Sequence, residues 1–378
     1  KKYKIINLSK SLNQVDYIVL SPGISLKKNK ILCKFKKKII TDIDLFFLTN
    51  KNSKTIVVTG TNGKSTTCKV ITHLLNKNKI KCSLGGNIGT PILSIDKTSN
   101  NYVVIEASSF QLSHSKFINP DYAFFLNLSN DHLDWHGNKK NYLESKLKIF
   151  RLQKKNDIAI INQKFKKIFL KKKFLGKLVV PSFRNYKKIK LRISNQYLIS
   201  NINDENMSFV YAFAKILGIR DQLFIKSLKS FKGLPHRFEL FLKKKGISFI
   251  NDSKATSFKA AKSALSSTKN IYWILGGLPK KGDIIQLGKL KKNIIKCYLI
   301  GKNIKFFKKQ IRDKLNFSIT KNLNNSIIQI LKDINLQKKS NINILLSPAA
   351  ASFDQFKNFE NRGEEFKNLC RKYARKLI

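Results

Sequence analysis

The chain has 378 residues and a hydrophobic content of 42%, which is enough for two or three domains with packed cores. It carries 75 Lys and Arg against 22 Asp and Glu, a formal charge of +53, and five cysteines without any C-x-x-C pair. These figures exclude a chain that is disordered throughout, a disulfide scaffold and a zinc ribbon. Because no apolar run reaches about 18 residues and no signal-peptide core opens the chain, the sequence predicts a soluble, cytoplasmic protein with buried cysteines.

The positive charge allows two interpretations. A large excess of basic residues is typical of proteins that bind nucleic acids or anionic membranes. However, only nine of the 75 basic residues are arginines, the other 66 are lysines, and they are spread along the whole chain. Nucleic-acid readers depend on arginine, and lysine-rich solvated surfaces explain the charge as well. We therefore predict salt-sensitive adhesion to polyanions, with no specific nucleic-acid partner and no membrane partner.

Hydrophobic patterns predict strands that alternate with helices in two blocks. The first block has predicted strands over 17–20, 55–58, 102–105, 122–126 and 158–161, and predicted helices over 66–75, 141–152, 207–217 and 222–231. The lysine-rich stretch 165–197 predicts edge strands and loops. After the Gly-Leu-Pro turn at 233–235, the second block has predicted strands over 247–250, 271–275, 297–300 and 342–346, and predicted helices over 257–266 and from Glu364 onward. This alternation predicts an α/β fold with mainly parallel sheets and a domain boundary at the turn.

A glycine-rich turn with the sequence T-G-T-N-G-K-S-T joins a predicted strand to a predicted helix at 59–66. Its free backbone N–H groups and the helix dipole are suited to hold phosphate. Lys64 would reach the β and γ phosphates of a nucleotide, and Ser65 would contact a magnesium ion. The spacing differs from the usual G-x-x-x-x-G-K-[ST], since Val58 stands where the first glycine would be. The predicted nucleotide-binding residues of this loop are Gly60, Thr61, Asn62, Gly63, Lys64, Ser65 and Thr66.

Two further segments contain residues that could bind a metal. Glu106 follows the predicted strand 102–105, at the end where α/β sheets collect ligands, so it is either a metal ligand beside the loop or an ordinary strand end. His132 and His136 are four residues apart, as in a zinc protease, but the Glu of H-E-x-x-H is missing and the segment follows a strand. The zinc interpretation is therefore disfavoured, and His136 is predicted to be structural.

The loop resembles the ATP loop of the Mur ligases and the related folylpolyglutamate synthetases, which activate a carboxylate as an acyl phosphate and couple it to an amine. The segments 85–89, 106–112, 127–132, 233–239, 251–256 and 347–356 occur in the order of one Mur ligase type. That type adds D-glutamate to UDP-N-acetylmuramoyl-L-alanine (UDP-MurNAc-L-Ala) in peptidoglycan precursor synthesis. The similarity extends over about residues 15 to 370.

The resemblance implies a three-domain α/β architecture. Residues 1–49 would be the remnant of a UDP-binding N-terminal domain, 50–232 a central P-loop domain that binds ATP on a parallel sheet, and 233–378 a Rossmann-like domain that binds D-glutamate. The family's N-terminal domain opens with a strand and a glycine turn, whereas the first glycine here is Gly23. We therefore expect a truncated N-terminal domain, with weaker affinity for the UDP-substrate than for ATP.

The resemblance also assigns roles around the ATP loop. The implied catalytic residues are Lys64, Glu106, His132 and Lys146. Two Mg²⁺ ions would be held by Ser65, Glu106, His132 and Lys146, and the lysine would be carbamylated by CO₂ to provide carboxylate oxygens. The muramoyl substrate would be contacted by Asn87, Ser108 and His132. Whether His132 is a metal ligand or a substrate contact stays open.

In the rest of the chain the resemblance implies two groups of binding residues. Nucleotide contacts would come from Asn203, Asn206, Arg237, Asp252 and Lys254. Asn206 could instead be a helix cap, and the family's histidine before Asn203 is replaced by Ile202. D-Glutamate would be surrounded by Thr256, Lys280, Ser352, Phe353 and Phe359. Lys281 is an alternative to Lys280, because Leu278 stands where the family commonly has an aspartate, and Arg362 matches a family arginine but could cap a surface helix.

The sequence therefore predicts a monomeric ATP-dependent ligase. Within the class, the alternative is another Mur ligase or a folylpolyglutamate synthetase, which differ in the amino-acid acceptor. Outside it, the alternatives are a basic P-loop ATPase that binds nucleic acid and a ligase that keeps the fold but has lost turnover.

Overall fold

The computed structural model describes residues 12–24, 26, 29–50, 52–95, 102–129, 131–195, 197–199, 203–280, 282–336 and 341–375. Ile202 and Lys281 lie outside the described residues, as do the first eleven residues of the predicted N-terminal domain. The described residues fall into two compact units, of which the first ends at Phe231 and the second begins at Lys232.

The first unit opens with a small parallel sheet. Strands β1 (Ile18–Val19) and β2 (Ile39–Ile40) pair through Ile18 with Ile39, and helix α1 (Lys30–Lys34) lies between them in the chain. A small apolar cluster covers this sheet and contains Leu12, Leu20, Leu32 and Ile39. Helix α2 (Asp42–Thr49) follows, and its start is fixed by a capping box between Thr41 and Asp44. The α2 residues Ile43 and Phe46 are fully buried in the core of the large sheet that comes next.

That large sheet has six strands among the described residues, all parallel, in the order β4–β5–β3–β6–β7–β8. The strands are β3 (Lys54–Thr59), β4 (Cys82–Gly86), β5 (Tyr102–Glu106), β6 (Tyr122–Phe125), β7 (Ile158–Ile161) and β8 (Lys177–Val179). β3 is buried at five of its six positions, as expected of a strand covered on both faces. The chain leaves β3 for β4 and returns to β5, so the carboxyl ends of β3, β5 and β6 meet where the strand order changes direction. Ligands collect at such a point in α/β sheets.

Helices α2 to α10 accompany the large sheet in the described part of the first unit. Those after α2 are α3 (Lys64–Lys77), α4 (Ser109–His114), α5 (Leu133–His136), α6 (Lys139–Leu147), α7 (Lys166–Lys171), α8 (Phe183–Lys190), α9 (Asp204–Ile216) and α10 (Asp221–Lys229). The predicted edge strands and loops over 165–197 are partly wrong, because this stretch forms α7 and α8 around the single strand β8. Its buried residues Tyr186 and Ile189 are three positions apart, which is helical spacing.

The second unit has a mixed sheet in the order β13–β12–β11–β14–β10–β9, in which only β9 runs antiparallel. Its strands are β9 (Glu239–Lys244), β10 (Ile247–Asn251), β11 (Ile271–Gly276), β12 (Ile294–Ile300), β13 (Phe317–Lys321) and β14 (Ile342–Leu346), and its helices α11 (Phe258–Ser267), α12 (Ile304–Ile311), α13 (Leu323–Leu336) and α14 (Phe359–Ala374). Two apolar clusters cover its two faces. The terminal helix begins five residues before the predicted Glu364, since Asn358 caps it through the amide N–H of Asn361.

The α/β prediction is therefore confirmed. Of the cysteines, Cys68, Cys297 and Cys370 are buried and Cys82 is half-buried, but Cys33 is exposed, so the prediction that all are buried is wrong for Cys33. In the part of the chain that the structure describes, no helix combines the length and the apolar character needed to cross a membrane.

Candidate functional site

The glycine-rich loop lies between β3 and α3, as predicted. Gly63 stands at the N-cap position with φ of +83°, and a Cβ atom there would come within 2.0 Å of the side-chain oxygen of Asn206. Only glycine fits this position, for conformational and for steric reasons. The Lys64 ammonium donates to the carbonyls of Gly60 (2.9 Å) and Thr61 (3.0 Å). Lys64 thus lies over the turn that the sequence assigns to phosphate.

Loop residues are held from the side by Asn127, which follows β6. The Asn127 side-chain oxygen accepts from the N–H of Asn62 at 2.9 Å, and its amide group donates to the Asn62 carbonyl and to Glu205. Thr61 is held by Tyr142, whose hydroxyl lies 3.0 Å from Thr61 Oγ1. Neither Asn127 nor Tyr142 has a role predicted from the sequence. An available signal for Tyr142 was its position four residues before Lys146 on one helix face.

Lys146 is buried, with 1% of its surface exposed. Its ammonium donates to the Gly60 carbonyl at 2.8 Å and lies 4.7 Å from the centre of the Tyr142 ring. No carboxylate forms an ion pair with Lys146 within the described residues. Burial, followed by repulsion from Lys64, lowers the pKa of Lys146 well below its ordinary value, while the charges of Asp131 and Glu106 act in the opposite direction. Lys146 is therefore an interior group at the phosphate loop.

Glu106 is the last residue of β5 and is 2% exposed. One carboxylate oxygen accepts from the side-chain amide of Asn87 at 2.9 Å, and the other is buried without a hydrogen-bond partner in the described structure. Leaving a buried acceptor unsatisfied costs about 1–3 kcal/mol. An oxygen-seeking cation at this position would remove that cost, so the donor chemistry fits Mg²⁺.

Ser108 and His132 differ in how the fold holds them. The Ser108 hydroxyl belongs to the capping box of α4, where Gln111 is its partner. His132 precedes α5 with φ of +53°, is exposed, and lies 3.5 Å from Asp131.

His136 is buried and contacts the Ser109 hydroxyl at 3.0 Å, in agreement with its predicted structural role. Among the described side chains, no group of three or more His, Cys, Asp or Glu residues is arranged to hold a metal ion.

Both predicted asparagines of the nucleotide site are buried near the loop. Asn203 occupies the N-cap position of α9 and donates to the Tyr197 carbonyl at 2.7 Å. Asn206 lies inside the first turn of α9, so the alternative that it caps the helix is wrong. Thr66 Oγ1 lies 3.5 Å from the Tyr197 hydroxyl, which connects the start of α3 to the segment before α9. Ser65 is buried beside Thr66, at 5% exposure each.

In the second unit the predicted nucleotide residues surround the end of β10. Asp252 accepts from the hydroxyl of Ser347 at 2.7 Å and from the backbone N–H of Phe238 at 3.1 Å. Burial raises the pKa of Asp252 to about 7, although both hydrogen bonds and the charge of Arg237 lower it. The Lys254 ammonium lies 4.4 Å from the centre of the Phe359 ring.

Four of the predicted D-glutamate residues lie on loops that follow the parallel strands of this unit, and the fifth, Phe359, is the first residue of α14. Ser352 is buried, Thr256 and Phe359 are half-buried, Lys280 is exposed, and Phe353 is 70% exposed. Gly277 and Ala351 approach closely after β11 and β14, with N–H to carbonyl bonds between Leu278 and Ala351 in both directions. Arg362 is 1% exposed, so the alternative of a cap on a surface helix is wrong for this residue.

Comparisons with known proteins agree with this geometry. Residues 58–218 match the Mur ligase middle domain. A UDP-N-acetylmuramoylalanine–D-glutamate ligase of Rickettsia felis is 38% identical over 385 residues, covering 96% of this chain and 86% of the relative. The enzyme of the same name from Wolbachia pipientis wMel is 34% identical, with coverages of 96% and 85%.

Solved structures show the same fold. The MurF ligase of Thermotoga maritima in complex with ADP has a TM-score of 0.61 at 18% identity, covering 90% of this chain and 87% of that chain. The UDP-N-acetylmuramate–alanine ligase MurC of the same organism has a TM-score of 0.62 at 18% identity, with coverages of 95% and 86%. At such low identities these two structures establish the architecture alone. Together with the sequence relatives, they show that the chain belongs to the Mur ligase family of ATP-dependent ligases, in the group of the UDP-N-acetylmuramoylalanine–D-glutamate ligases.

Proposed function

We propose that the protein joins D-glutamate to UDP-MurNAc-L-Ala at the expense of ATP. The observation that carries the proposal is that Lys64, Glu106 and Lys146 come together at the carboxyl ends of β3 and β5. There a phosphate loop, a carboxylate oxygen without a partner and an interior lysine influence one another electrostatically. A site of this kind is suited to hold a polyanion and a divalent cation.

The reaction proceeds in two displacements. An oxygen of the L-alanine carboxylate attacks the γ-phosphorus of ATP, so that ADP leaves and an acyl phosphate forms. The amine of D-glutamate then attacks the acyl carbon, loses a proton and expels inorganic phosphate as the amide bond forms. The backbone N–H groups of the loop and the Lys64 ammonium bind and orient the phosphates. Arg237, Asp252, Lys254, Asn203 and Asn206 are proposed to bind the rest of the nucleotide.

The cation would be held by Glu106, Ser65 and His132. The Glu106 oxygen without a hydrogen-bond partner in the described structure supports this assignment, because it is a buried hard oxygen ligand. When bound, Mg²⁺ neutralises phosphate charge and polarises the phosphoryl oxygens. Asn87 fixes the orientation of the Glu106 carboxylate through its 2.9 Å hydrogen bond. Asn87, Ser108 and His132 are the proposed contacts to the muramoyl substrate.

Lys146 is proposed to be carbamylated. An interior cation without a paired carboxylate is costly, and attack of the neutral amine on CO₂ forms an N–C bond, releases one proton and replaces the cation by an anionic carboxylate. That group would supply a further oxygen ligand and allow a second Mg²⁺. The position of Lys146 above the Tyr142 ring and against the Gly60 carbonyl supports this role, because it places the nitrogen at the phosphate loop.

The second unit is proposed to bind D-glutamate through Thr256, Lys280, Ser352, Phe353 and Phe359. We assign residues 1–49 to the UDP-binding domain, 50–232 to the ATP-binding domain and 233–378 to the amino-acid domain. Since the reaction draws on ATP and on nucleotide-linked precursors, we place it in the cytoplasm, with the chain acting as a monomer on small molecules.

A coupled assay of phosphate release tests the proposal. It uses UDP-MurNAc-L-Ala, ATP and Mg²⁺, and compares D-glutamate with L-glutamate, L-alanine and diaminopimelate. We expect turnover with D-glutamate only, and a product whose mass equals the sum of both substrates less one water. Turnover with another amino acid alone, or ATP hydrolysis that nucleic acid stimulates without any acceptor, would contradict it.

A further inference from the structure

Arg362 lies in the first turn of α14, and its guanidinium group is enclosed by the second unit. Its Nε donates to the Ser253 hydroxyl at 3.0 Å, and Nη2 donates to the carbonyls of Ser253 (2.8 Å) and Ala350 (3.0 Å). The Ser253 hydroxyl donates in turn to the Phe359 carbonyl at 2.8 Å. One side chain thereby joins the loop after β10, the loop after β14 and the start of α14.

The turn after β11 rests against the same guanidinium. A Cβ atom at Gly277 would lie 3.2 Å from Nη1 of Arg362, so the absence of a side chain at Gly277 lets the turn approach. Each segment that touches Arg362 carries a proposed D-glutamate residue within three positions of the contact. These residues are Thr256 after Ser253, Lys280 after Gly277, Ser352 after Ala350, and Phe359 before Arg362.

We propose that Arg362 is the positioning residue of the amino-acid pocket. It fixes the relative placement of the four segments that would bind the two carboxylates of D-glutamate. This inference rests on the proposed function, because it concerns the same pocket.

An arginine is suited to this role because its planar group donates in several fixed directions, whereas a lysine ammonium is a single point of charge. Burial lowers the pKa of Arg362 to about 10, which leaves the group charged at neutral pH. Within the described residues, no carboxylate forms an ion pair with Arg362, and its acceptors are neutral oxygens. The nearby charge of Asp354 partly offsets the positive charge of Arg362, which still favours the two carboxylates of a bound amino acid near these loops.

The test compares KM values of the full chain for its three substrates. Arg362→Lys keeps the charge but cannot bridge Ser253 and Ala350, so we expect KM for D-glutamate to rise ~10-fold or more, because misplacement of binding groups acts on the substrate that they hold. KM for UDP-MurNAc-L-Ala should stay within about twofold, since its proposed contacts Asn87, Ser108 and His132 belong to the first unit. Ser253→Ala removes only the hydrogen bonds of the hydroxyl group, and we expect KM for D-glutamate to rise roughly threefold. Arg371→Lys, on the exposed side of the same helix, is the matched control and should leave all three values unchanged.

Thermal unfolding of each variant separates positioning from simple stability. A folded Arg362→Lys variant with unchanged KM for D-glutamate would overturn the proposal, as would an equal rise in all three KM values. If Arg362→Lys does not fold, Ser253→Ala decides by the same criterion. Should the wild type ligate a different amino acid, the proposed function is wrong, and the KM values for that amino acid then decide the role of Arg362.

Discussion

Lys64 illustrates how a single side chain can matter for turnover and little for the fold. Its ammonium donates to two carbonyls of the glycine-rich loop, and the side chain is only half-buried. We expect Lys64→Ala to lower kcat by about 100-fold or more, because charge stabilisation at the phosphates is lost, while the melting temperature changes little. Steady-state kinetics and thermal melts provide the measurement, with Lys69→Ala on the same helix as the control. Retention of more than roughly a tenth of the wild-type kcat would contradict the assignment of the loop.

Lys146 differs from Lys64, because its side chain is buried and its proposed chemistry depends on CO₂. Lys146→Ala should be inactive, and a short-chain carboxylic acid such as formate should restore part of the activity by occupying the place of the carbamate. Activity is measured over a series of formate concentrations, with the exposed Lys140→Ala on the same helix as the control. Full activity of Lys146→Ala in CO₂-depleted buffer would eliminate the proposed role.

Asp252 makes the stability of the second unit depend on pH. Its pKa of about 7 lies above the ordinary value of 3.8, so the folded state binds more protons than the unfolded state between these values. Its contribution to the free energy of unfolding is therefore fully present below about pH 4 and is lost as the pH rises to about 7, by at most about 4 kcal/mol. We expect Asp252→Asn to be less stable than the wild type in acid but to lose less stability over this interval. Urea unfolding at pH 4.5 and 7.5 measures the free energy of unfolding of both proteins. An equal change between the two pH values in the variant and in the wild type would contradict the prediction.

At the scale of elements, strands with continuous apolar runs were predictable. The observed β7 has the predicted bounds because its four residues form an unbroken apolar run, and β14 also has the predicted bounds although Asn343 interrupts its apolar run. α8 was missed because it has only two buried apolar residues, Tyr186 and Ile189, and the lysines around them obscure the helical spacing. The early start of α14 depends on the side chain of Asn358, a capping signal that apolar periodicity does not contain.

The candidate site was predictable in part. The phosphate loop and Glu106 followed from residue types at strand ends, and the other roles came from the resemblance to a family. The contact of Asn206 with Gly63 and the hydrogen bonds of Asn127 to the loop join distant parts of the chain, so neither follows from local pattern. Burial of Arg362 was missed for the same reason, since its partners come from loops elsewhere in the sequence.

The hydrogen bond by which Asn358 caps α14 allows a prediction about stability. Asn358→Ala removes the acceptor for the N–H of Asn361 and should lower the free energy of unfolding by about 1 kcal/mol. Chemical unfolding of the full chain measures this, followed by a signal from the second unit such as the fluorescence of the buried Trp273. Asn361→Ala, an exposed position in the same turn, is the control. Equal stability of the two variants would show that the cap contributes nothing.

At the scale of the whole molecule, the +53 charge acts through a diffuse field. We expect binding to DNA or heparin at low salt to disappear by a few hundred millimolar salt, because the Debye length then falls below about 8 Å. Ligase activity at fixed Mg²⁺ should persist over the same range, since buried groups are screened much less. Parallel titrations of polyanion binding and of phosphate release measure both. A DNA complex that survives high salt and prefers one sequence would contradict the prediction.

The close packing of the Asn206 side chain against Gly63 has a consequence for the order in which parts of this chain become functional during synthesis. The turn and the helix that carry the nucleotide loop emerge from the ribosome before α9, which carries the side chain that backs Gly63. We therefore expect nucleotide affinity to be acquired only after α9 has been made, although the loop itself is synthesised earlier. Stalled nascent chains of increasing length should begin to retain ATP only once α9 has left the exit tunnel.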